Sequence, residues 1–426
     1  MSTSSISLES LRFLLQHMDA NRRFEVYNRC PSLREFEKSV PLKIDSLVFE
    51  KDCVIVNDTT YKLGIIRKYN VGETPNYVTD SNENGGLPFE VDKYGIKDEL
   101  DKYTVTVGDV AIDLPREPWI LSEYARMRRL EFRIRDYEEQ IARERERGPN
   151  RHQDDLGEII YEVSRAKLFD YQCRRDLIPP NFEHFLQLTT TRIVDGQEQR
   201  TIQRYDHNKK YSEALKHLTT VLLGGRSLPI SVKKFKLVCT VGVIRLPINV
   251  RFHVEQLLFN GRVRTTLEAL APILHESSYP LKKLAPSLLS VNEIDNPIVQ
   301  AAESLTIRLR RSTEISRALA SITNPMLHIT MPQFRRFSLK KIMAKCVESR
   351  RPFGTEFIIH FHREPHFENE MEDILRRLNG VPIDDENVII PRTVTTNLKV
   401  SYGPFPEFAP CSKWAVRFST EMIEHR

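Results

Sequence analysis

The sequence predicts a mixed α/β chain of the α+β kind. We expect a small N-terminal helical segment with a β-meander, then a long charged helix, then a C-terminal irregular solenoid with leucine-rich-repeat spacing. Three observations support this fold class. Apolar residues near the N-terminus recur at helical spacing, residues 42–66 alternate with a period of two, and short apolar strands recur at a nearly constant distance after residue 230. With 426 residues, the chain is long enough for two or three domains.

Residues 1–41 are predicted to form two or three short helices. Ser7 is a suitable N-cap for the first helix, while Asp19 and Asn21 interrupt the chain and start the second. The third begins at Ser32 and is ended by Pro41. The apolar stripe of this segment consists of Leu8, Leu11, Leu14, Leu15 and Met18, and Phe24 follows on the second helix.

Residues 42–116 are predicted to form a β-rich domain. Strands around Leu47, residues 54–56 and residues 61–66 are separated by turn-forming residues, which is typical of a meander. Residues 70–96 are rich in Gly, Pro and Asn, and they predict a long surface loop or an irregular insertion. Residues 103–107 alternate again and predict one more strand, which ends at Gly108.

Residues 117–176 are predicted to form a charged helical connector. Residues 117–147 carry eight basic and eight acidic residues, and the apolar stripe among them consists of Leu130, Ile134, Tyr137 and Ile141. This pattern indicates a solvated helix that docks on its apolar stripe, and a coiled-coil dimer is the alternative. A second amphipathic helix follows, with apolar residues at 156, 159, 160, 163, 166 and 169.

Residues 177–426 are predicted to form the solenoid. Apolar strands centred on Phe235, Leu257, Leu284, Leu305 and Leu327 are separated by 22, 27, 21 and 22 residues. This spacing, with an L-x-x-L-x-L-like strand in each unit, is typical of leucine-rich repeats, and an ordinary α+β domain remains the alternative. Helices are expected at 211–223, 265–274, 313–322, 338–349 and 367–379, and further strands at 356–362, 397–402 and 414–419.

Composition excludes several classes of protein. The 63 basic and 58 acidic residues leave a net charge of +5, which is too small to indicate a nucleic-acid or membrane partner. The six cysteines are scattered, which is typical of reduced thiols, and the N-terminus lacks the features of a signal peptide. We therefore expect a cytoplasmic or nuclear protein that is not secreted and has no membrane span.

Few residues suggest chemistry. The sequence has no nucleotide-binding loop, nucleophile elbow or zinc-protease motif. His360, His362 and His366 form the one local histidine cluster, which we interpret as part of a strand edge, with a metal site as the alternative. The acids at 384–386 are expected to be solvated, Cys30 to be a core thiol, and Gly224-Gly225 to end a helix. We expect no catalytic residues, cofactor or metal.

Basic residues cluster between 308 and 351 and are interleaved with phenylalanines at 334, 337 and 353. The clusters fit solvated helix faces or a surface for an acidic partner, whereas single-stranded nucleic acid is the less favoured alternative.

The N-terminal stripe, together with Arg23-Phe24 and Arg29-Cys30, resembles a degenerate F-box that lacks the usual Leu-Pro opening and tryptophan. In that motif, a short helical bundle offers leucines to a Skp-type adaptor of a cullin ubiquitin ligase. The chain more closely resembles a nematode-expanded F-box-like family that carries a domain of unknown function. The similar segments are 30–49, 57–64, 85–95 and 222–237, and segment 296–307 and Trp414 are similar to F-box-associated regions.

The resemblance implies a protein-interaction module that is not an enzyme, the substrate-recognition subunit of a cullin-type ubiquitin ligase. The Skp-type adaptor would dock on Leu8, Leu11, Leu14, Leu15, Met18 and Phe24, and residues 177–426 would bind an unknown protein substrate. A second hypothesis is an interaction or structural protein without a ubiquitin role, in which these side chains are buried against the strands that follow. A third is a hydrolase or transferase whose site is dispersed in the sequence, which would require a cleft with His, Asp or Cys of perturbed pKa.

Overall fold

The computed structural model describes residues 7–117, 120–147, 155–287, 289, 293–308, 322–331, 353–361, 376, 378–384, 386–393, 395–404 and 414–422. Over these ranges the chain is a mixed α/β protein. Its helices are α1 (Leu8–His17), α2 (Ala20–Arg29), α3 (Arg34–Ser39), α4 (Asn76–Glu83), α5 (Glu123–Arg147), α6 (Asp155–Arg175), α7 (Tyr211–Leu223), α8 (Val263–Leu270) and α9 (Pro297–Ala301).

Most strands of the described ranges join one large sheet. In chain order the strands are β1 (Lys43–Phe49), β2 (Cys53–Val56), β3 (Thr59–Tyr69), β4 (Val110–Ile112), β5 (Phe182–Val194), β6 (Gln197–Asp206), β7 (Ile230–Leu237), β8 (Gly242–Ile244), β9 (Phe252–Phe259), β10 (Lys283–Pro286), β11 (Ser304–Arg308), β12 (Met326–Met331), β13 (Glu356–Phe361), β14 (Val381–Pro382), β15 (Asn387–Pro391), β16 (Thr396–Gly403) and β17 (Trp414–Met422). The order in the sheet is β14-β15-β16-β17-β13-β12-β11-β10-β9-β7-β1-β2-β3-β5-β6, and β4 pairs with β8 separately.

The centre of the sheet is a stack of seven parallel strands, β1, β7, β9, β10, β11, β12 and β13, with antiparallel strands on both sides. One row of side chains crosses the whole stack in register. It consists of Leu47, Phe235, Leu257, Leu284, Leu305, Leu327 and Phe357, each at most 3% exposed. The five strand centres predicted from the sequence are therefore confirmed, and they are nearest neighbours in space.

Helices cover one face of this stack. Phe24 of α2, Leu223 of α7, Leu267 of α8 and Val299 of α9 belong to the same apolar core as the in-register row. Burial of each such side chain stabilises the fold by about 1.5–3 kcal/mol, so these contacts hold the helices on the sheet. The prediction of a helix at 211–223 is confirmed, and that at 265–274 is confirmed in part, since α8 begins at Val263 and ends at Leu270.

Of the other elements predicted for this region, the strands are confirmed, and the helices fall on residues outside the described ranges. Strands predicted at 356–362, 397–402 and 414–419 correspond to β13, β16 and β17. The predicted helices 313–322, 338–349 and 367–379 lie outside the described residues, apart from a few terminal positions.

The predicted meander is confirmed as β1, β2 and β3, but the strand predicted after it was wrong. Residues 103–107 do not form a strand: Val105 and Val107 are 48% and 74% exposed, and the strand β4 begins only at Val110. Segment 70–96 includes the helix α4, whose one buried residue is Val78. A helix with a single buried side chain has no apolar stripe, so its pattern resembles that of a loop.

The two long helices α5 and α6 pack against each other. The predicted stripe of α5 is confirmed, since Leu130 is 8% exposed and Ile134, Tyr137 and Ile141 are half-buried between exposed neighbours. The rings of Tyr137 and Tyr161 lie 5.0 Å apart, so α6 of the same chain covers this part of the stripe. The division of the chain into domains at residues 41, 116 and 176 stays a prediction. Strand β1 of segment 42–116 pairs with β7 of segment 177–426, so these two segments share one sheet.

Candidate interaction surfaces

The predicted leucine stripe of α1 divides between core and solvent. Ser7 caps the helix by accepting a hydrogen bond from the Ser10 amide at 3.1 Å. Leu15 is 1% exposed, and Leu11 and Met18 are half-buried, so they anchor the helix. Leu8 and Leu14 are 70% and 48% exposed. The exposed apolar surface of α1 also includes Phe13, which is 62% exposed and was not predicted as a site residue.

The helix α2 is fixed to the sheet and places Phe24 in the core. The Asn21 side chain donates to the Val56 carbonyl at 3.0 Å and accepts from the Tyr61 hydroxyl at 3.1 Å. Phe24 is 2% exposed and packs edge-on against the Tyr61 ring at 6.4 Å. A partner could therefore contact Phe24 only after α2 separates from the sheet.

A buried cluster of charges connects α2 and α3 to the loop before β7. The Glu37 carboxylate accepts hydrogen bonds from Arg23 Nε at 2.8 Å and from Arg226 Nη2 at 2.8 Å and 3.1 Å. Arg23 and Glu37 are 1% and 0% exposed, and the Arg226 side chain is 3% exposed. Burial lowers the pKa of both guanidinium groups, while Glu37 opposes that shift. Two segments that carry the family resemblance, 30–49 and 222–237, thus meet at one carboxylate.

Lys38 extends this cluster toward α7. Its ammonium group donates to the Val221 carbonyl at 2.8 Å and lies 4.4 Å from the centre of the Tyr27 ring. Burial, and next the charge of Arg226, lower the pKa of Lys38 to about 7. The N-terminal helices are therefore an integral part of the fold, and α1 is the element of this segment with the most exposed apolar side chains.

The face of the parallel stack opposite the helices is polar and basic where it is accessible. One register row on this side contains Ser46, Lys234, Gln256, Lys283 and Ser304. On this face Lys234 is exposed, and Lys236 and Lys283 are half-buried. Burial, and next the charge of Lys234, lower the pKa of Lys283. We call Lys234, Lys236 and Lys283 the lysine row. Within the described ranges these three lysines have no carboxylate partner.

The histidines at the far end of this face are paired and neutral. His328 Nδ1 lies 3.1 Å from His360 Nε2, and the two rings stack with their centres 5.4 Å apart. Both side chains are buried, and burial, then the charge of His360, lower the pKa of His328 to about 4. His360 of the predicted cluster thus stands beside a histidine from the neighbouring strand, whereas His362 and His366 lie outside the described residues.

Glu50, Asp52 and Cys53 bring three potential metal-ligand atoms within 4.8 Å of one another at the β1–β2 turn. Burial, then the nearby Glu50 carboxylate, raise the pKa of Cys53 to about 12, so the thiol stays protonated and donates to Glu50 at 3.5 Å. Asp52 pairs with Lys62 at 3.4 Å. In this structure the three groups form a hydrogen-bonded turn that Lys62 closes.

The other residues that the sequence analysis singled out lie at a helix end, in a turn or beside a helix. Gly224 ends α7, and Gly225 follows with a φ of +72°, which confirms the predicted helix end. Asp384 accepts hydrogen bonds from the Asn387 side chain and the Glu386 amide in the β14–β15 turn. Cys30 is half-buried beside α2, and most members of the basic clusters between 308 and 351 lie outside the described residues.

Comparison with known proteins gives one match. Residues 210–363 match the family model described as "Domain of unknown function (DUF3557)". This region runs from α7 to just beyond β13 and includes the lysine row and most of the parallel stack. No curated protein matches the chain, and no solved structure matches it. None of the helices in the described ranges has both the length and the apolar character needed to cross a membrane.

Proposed function

We propose that this protein is an F-box-like interaction module of the nematode-expanded family, and that it acts as the substrate-recognition subunit of a cullin-type ubiquitin ligase. In this proposal α1 docks a Skp-type adaptor, and the parallel stack is a leucine-rich-repeat-like solenoid that binds the substrate. The observation that carries the proposal is the exposed apolar surface of α1, formed by Leu8 and Leu14 on a helix that Leu15 anchors.

The exposure of α1 supports a docking role because Leu8 and Leu14 belong to one apolar cluster on the helix. Single exposed leucines are common on protein surfaces, but Leu8 and Leu14 share one side of α1 with Leu11 and Met18, which are only half-buried. Phe13 lies on the other side of the helix, beside His17. Such a cluster gains free energy when a partner removes it from water, at about 25 cal/mol per Å² of apolar surface.

The parallel stack supports a substrate-binding role. Strands repeat every 21 to 27 residues, and their apolar residues are in register, as they are in leucine-rich-repeat proteins. Solenoids of this kind use an open sheet face as an extended binding surface. Because the lysine row lacks carboxylate partners among the described residues, an acidic segment of a substrate protein is the complementary ligand.

The test is titration of the full chain with a purified Skp-type adaptor, monitored by calorimetry. We expect saturable binding that Leu8→Asp and Leu14→Asp each weaken at least tenfold. Leu156→Asp is the matched control, since Leu156 is also an exposed leucine on a helix, 66% exposed compared with 70% for Leu8. Absence of binding to the folded wild-type chain, or equal loss in all three variants, would contradict the proposal.

The second function is an interaction or structural protein without a ubiquitin role. The observation that favours it is the burial of Leu15 and Phe24, which shows that part of the predicted docking stripe serves the core of this chain. This function predicts that the adaptor does not bind, while Lys234→Glu and Lys283→Glu still abolish capture of an acidic partner. Adaptor titration therefore separates the two functions.

A further inference from the structure

A cavity of about 310 Å³ lies between the sheet and the two long helices. Its walls are β3, α4, segment 87–99, α5 and α6. The apolar part of the lining includes Ile65, Val78, Phe89, Ile96 and Val163. Pockets that hold small molecules have volumes of this order and combine a mostly apolar lining with a few polar groups.

A rigid polar frame forms one side of the cavity. Arg67 Nη1 pairs with Asp170 at 3.2 Å, with the two side chains 8% and 11% exposed, and Arg67 Nη2 donates to the Gly95 carbonyl at 2.7 Å. Asn82 donates to the Arg67 carbonyl at 2.8 Å and accepts from the Arg67 amide at 3.1 Å. These contacts join β3, α4 and α6, so the cavity wall is preorganised.

The cavity lining has more cations than carboxylates. Lys97 pairs with Glu99 at 2.8 Å, and Arg67 pairs with Asp170. Lys167 and Arg126 also line the cavity, and neither has a carboxylate partner within the described ranges. Burial, and next the charges of Arg67 and Arg133, lower the pKa of Lys167, while Asp170 opposes that shift. Lys167 is exposed to solvent at the edge of the lining, so a ligand can reach it.

We propose that this cavity binds a small organic acid, with an apolar body between α4, α6 and segment 87–99 and a carboxylate at Lys167. A bound carboxylate forms the close ion pair that Lys167 does not make with any described carboxylate, and the apolar body fills the space lined by Val78, Phe89 and Ile96. This site is independent of the proposed ubiquitin role, because α1 and the lysine row do not line the cavity.

Binding, not catalysis, is the chemistry that this geometry supports. Asp170 has the perturbed carboxyl group expected of an enzyme site, since burial raises its pKa to about 6 even though Arg67 opposes the shift. Its carboxylate, however, is held by the Arg67 guanidinium, and a group that is paired in this way is poorly placed to exchange protons with a substrate.

Decanoate and decanol are suitable probes, because they share an apolar chain and differ in charge. We expect the full chain to bind decanoate saturably in calorimetry, with decanol at least tenfold weaker. Lys167→Gln should weaken decanoate binding about tenfold and leave decanol unchanged, whereas Lys167→Arg should retain decanoate. Arg165→Gln is the matched control, since Arg165 is an exposed cation on the same helix that does not line the cavity.

Three outcomes would overturn the proposal: no saturable binding of decanoate, equal binding of the two probes, or wild-type decanoate affinity in Lys167→Gln. Val163→Trp provides a second variant that fills the cavity without changing its charge. If Val163→Trp keeps its circular dichroism spectrum and loses decanoate, the ligand occupies the cavity. If it keeps decanoate, the ligand lies elsewhere and the proposal is wrong.

Discussion

Removal of the Glu37 charge should destabilise this protein more than most single substitutions. In Glu37→Gln, the guanidinium groups of Arg23 and Arg226 would remain buried beside each other without a counter-charge. Arginine does not lose its proton in proteins, so the repulsion cannot be relieved by titration. Loss of one partner from a buried ion pair costs about 3–5 kcal/mol, and two arginines depend on this carboxylate.

This loss is large beside the total stability of a protein, which is about 5–15 kcal/mol. Thermal unfolding of the full chain and hydrogen exchange of α2 and α3 are the appropriate measurements. We expect a lower midpoint in Glu37→Gln and faster exchange in both helices, because the Arg23 guanidinium also donates to the carbonyls of Glu37, Val40 and Pro41 and positions α2 against α3.

Glu25→Gln is the control for this experiment. Glu25 pairs with Arg22 at 2.9 Å in the same segment, but the side chains are 42% and 56% exposed, and a pair of that kind contributes at most about 1 kcal/mol. Equal effects of Glu25→Gln and Glu37→Gln on the midpoint and on exchange would refute the reasoning, because burial would then make no difference to the pair.

Three further predictions concern single residues. Asp170→Asn should remove a pH dependence of stability. Burial raises the pKa of Asp170 in the folded state to about 6, above its value in the unfolded state, so its ionisation disfavours folding. In urea unfolding, the stability of the wild type relative to the variant should therefore fall by about 1 kcal/mol from pH 5 to pH 8. Parallel curves would contradict this. Gly95→Ala should lower the unfolding midpoint more than Gly72→Ala, since both glycines have positive φ but only at Gly95 would a Cβ atom lie 1.8 Å from Arg67 Nη2. Equal losses would show that the contact is unimportant. Lys38→Met should abolish an increase in stability above pH 7. The folded state lowers the pKa of Lys38 to about 7 and so favours its neutral form. If stability rises with pH as steeply in the variant as in the wild type, another group titrates.

The central sheet could be predicted from the sequence because its pattern is periodic. Each successive strand places one large apolar residue in the same row of the sheet. The spacing of these residues from Phe235 to Leu327 therefore predicts which residues pair across neighbouring strands. The stripe on α5 was predictable for the same reason, since Leu130 and Tyr137 face one partner helix. Predictions based on weaker patterns were wrong, as at residues 103–107, where alternation occurs in an exposed loop.

The charged contacts could not be predicted. Glu37 and Arg226 are 189 residues apart, and Arg67 and Asp170 are 103 residues apart. Local sequence shows that a residue is charged, but its burial and its partner depend on how distant segments pack. The leucines of α1 illustrate the same limit within one helix, because helical spacing predicts the stripe and only the fold decides that Leu15 is covered and Leu14 is exposed.

Hydrogen exchange of α1 with and without a purified Skp-type adaptor tests the proposed docking role. The full chain is compared at saturating adaptor, with α7 as an internal reference, since α7 packs against the sheet and is far from α1 in sequence. We predict slower exchange of the amides from Leu11 to His17 and no change in α7. Unchanged exchange in α1 at saturating adaptor would contradict the proposal that this helix is the docking element.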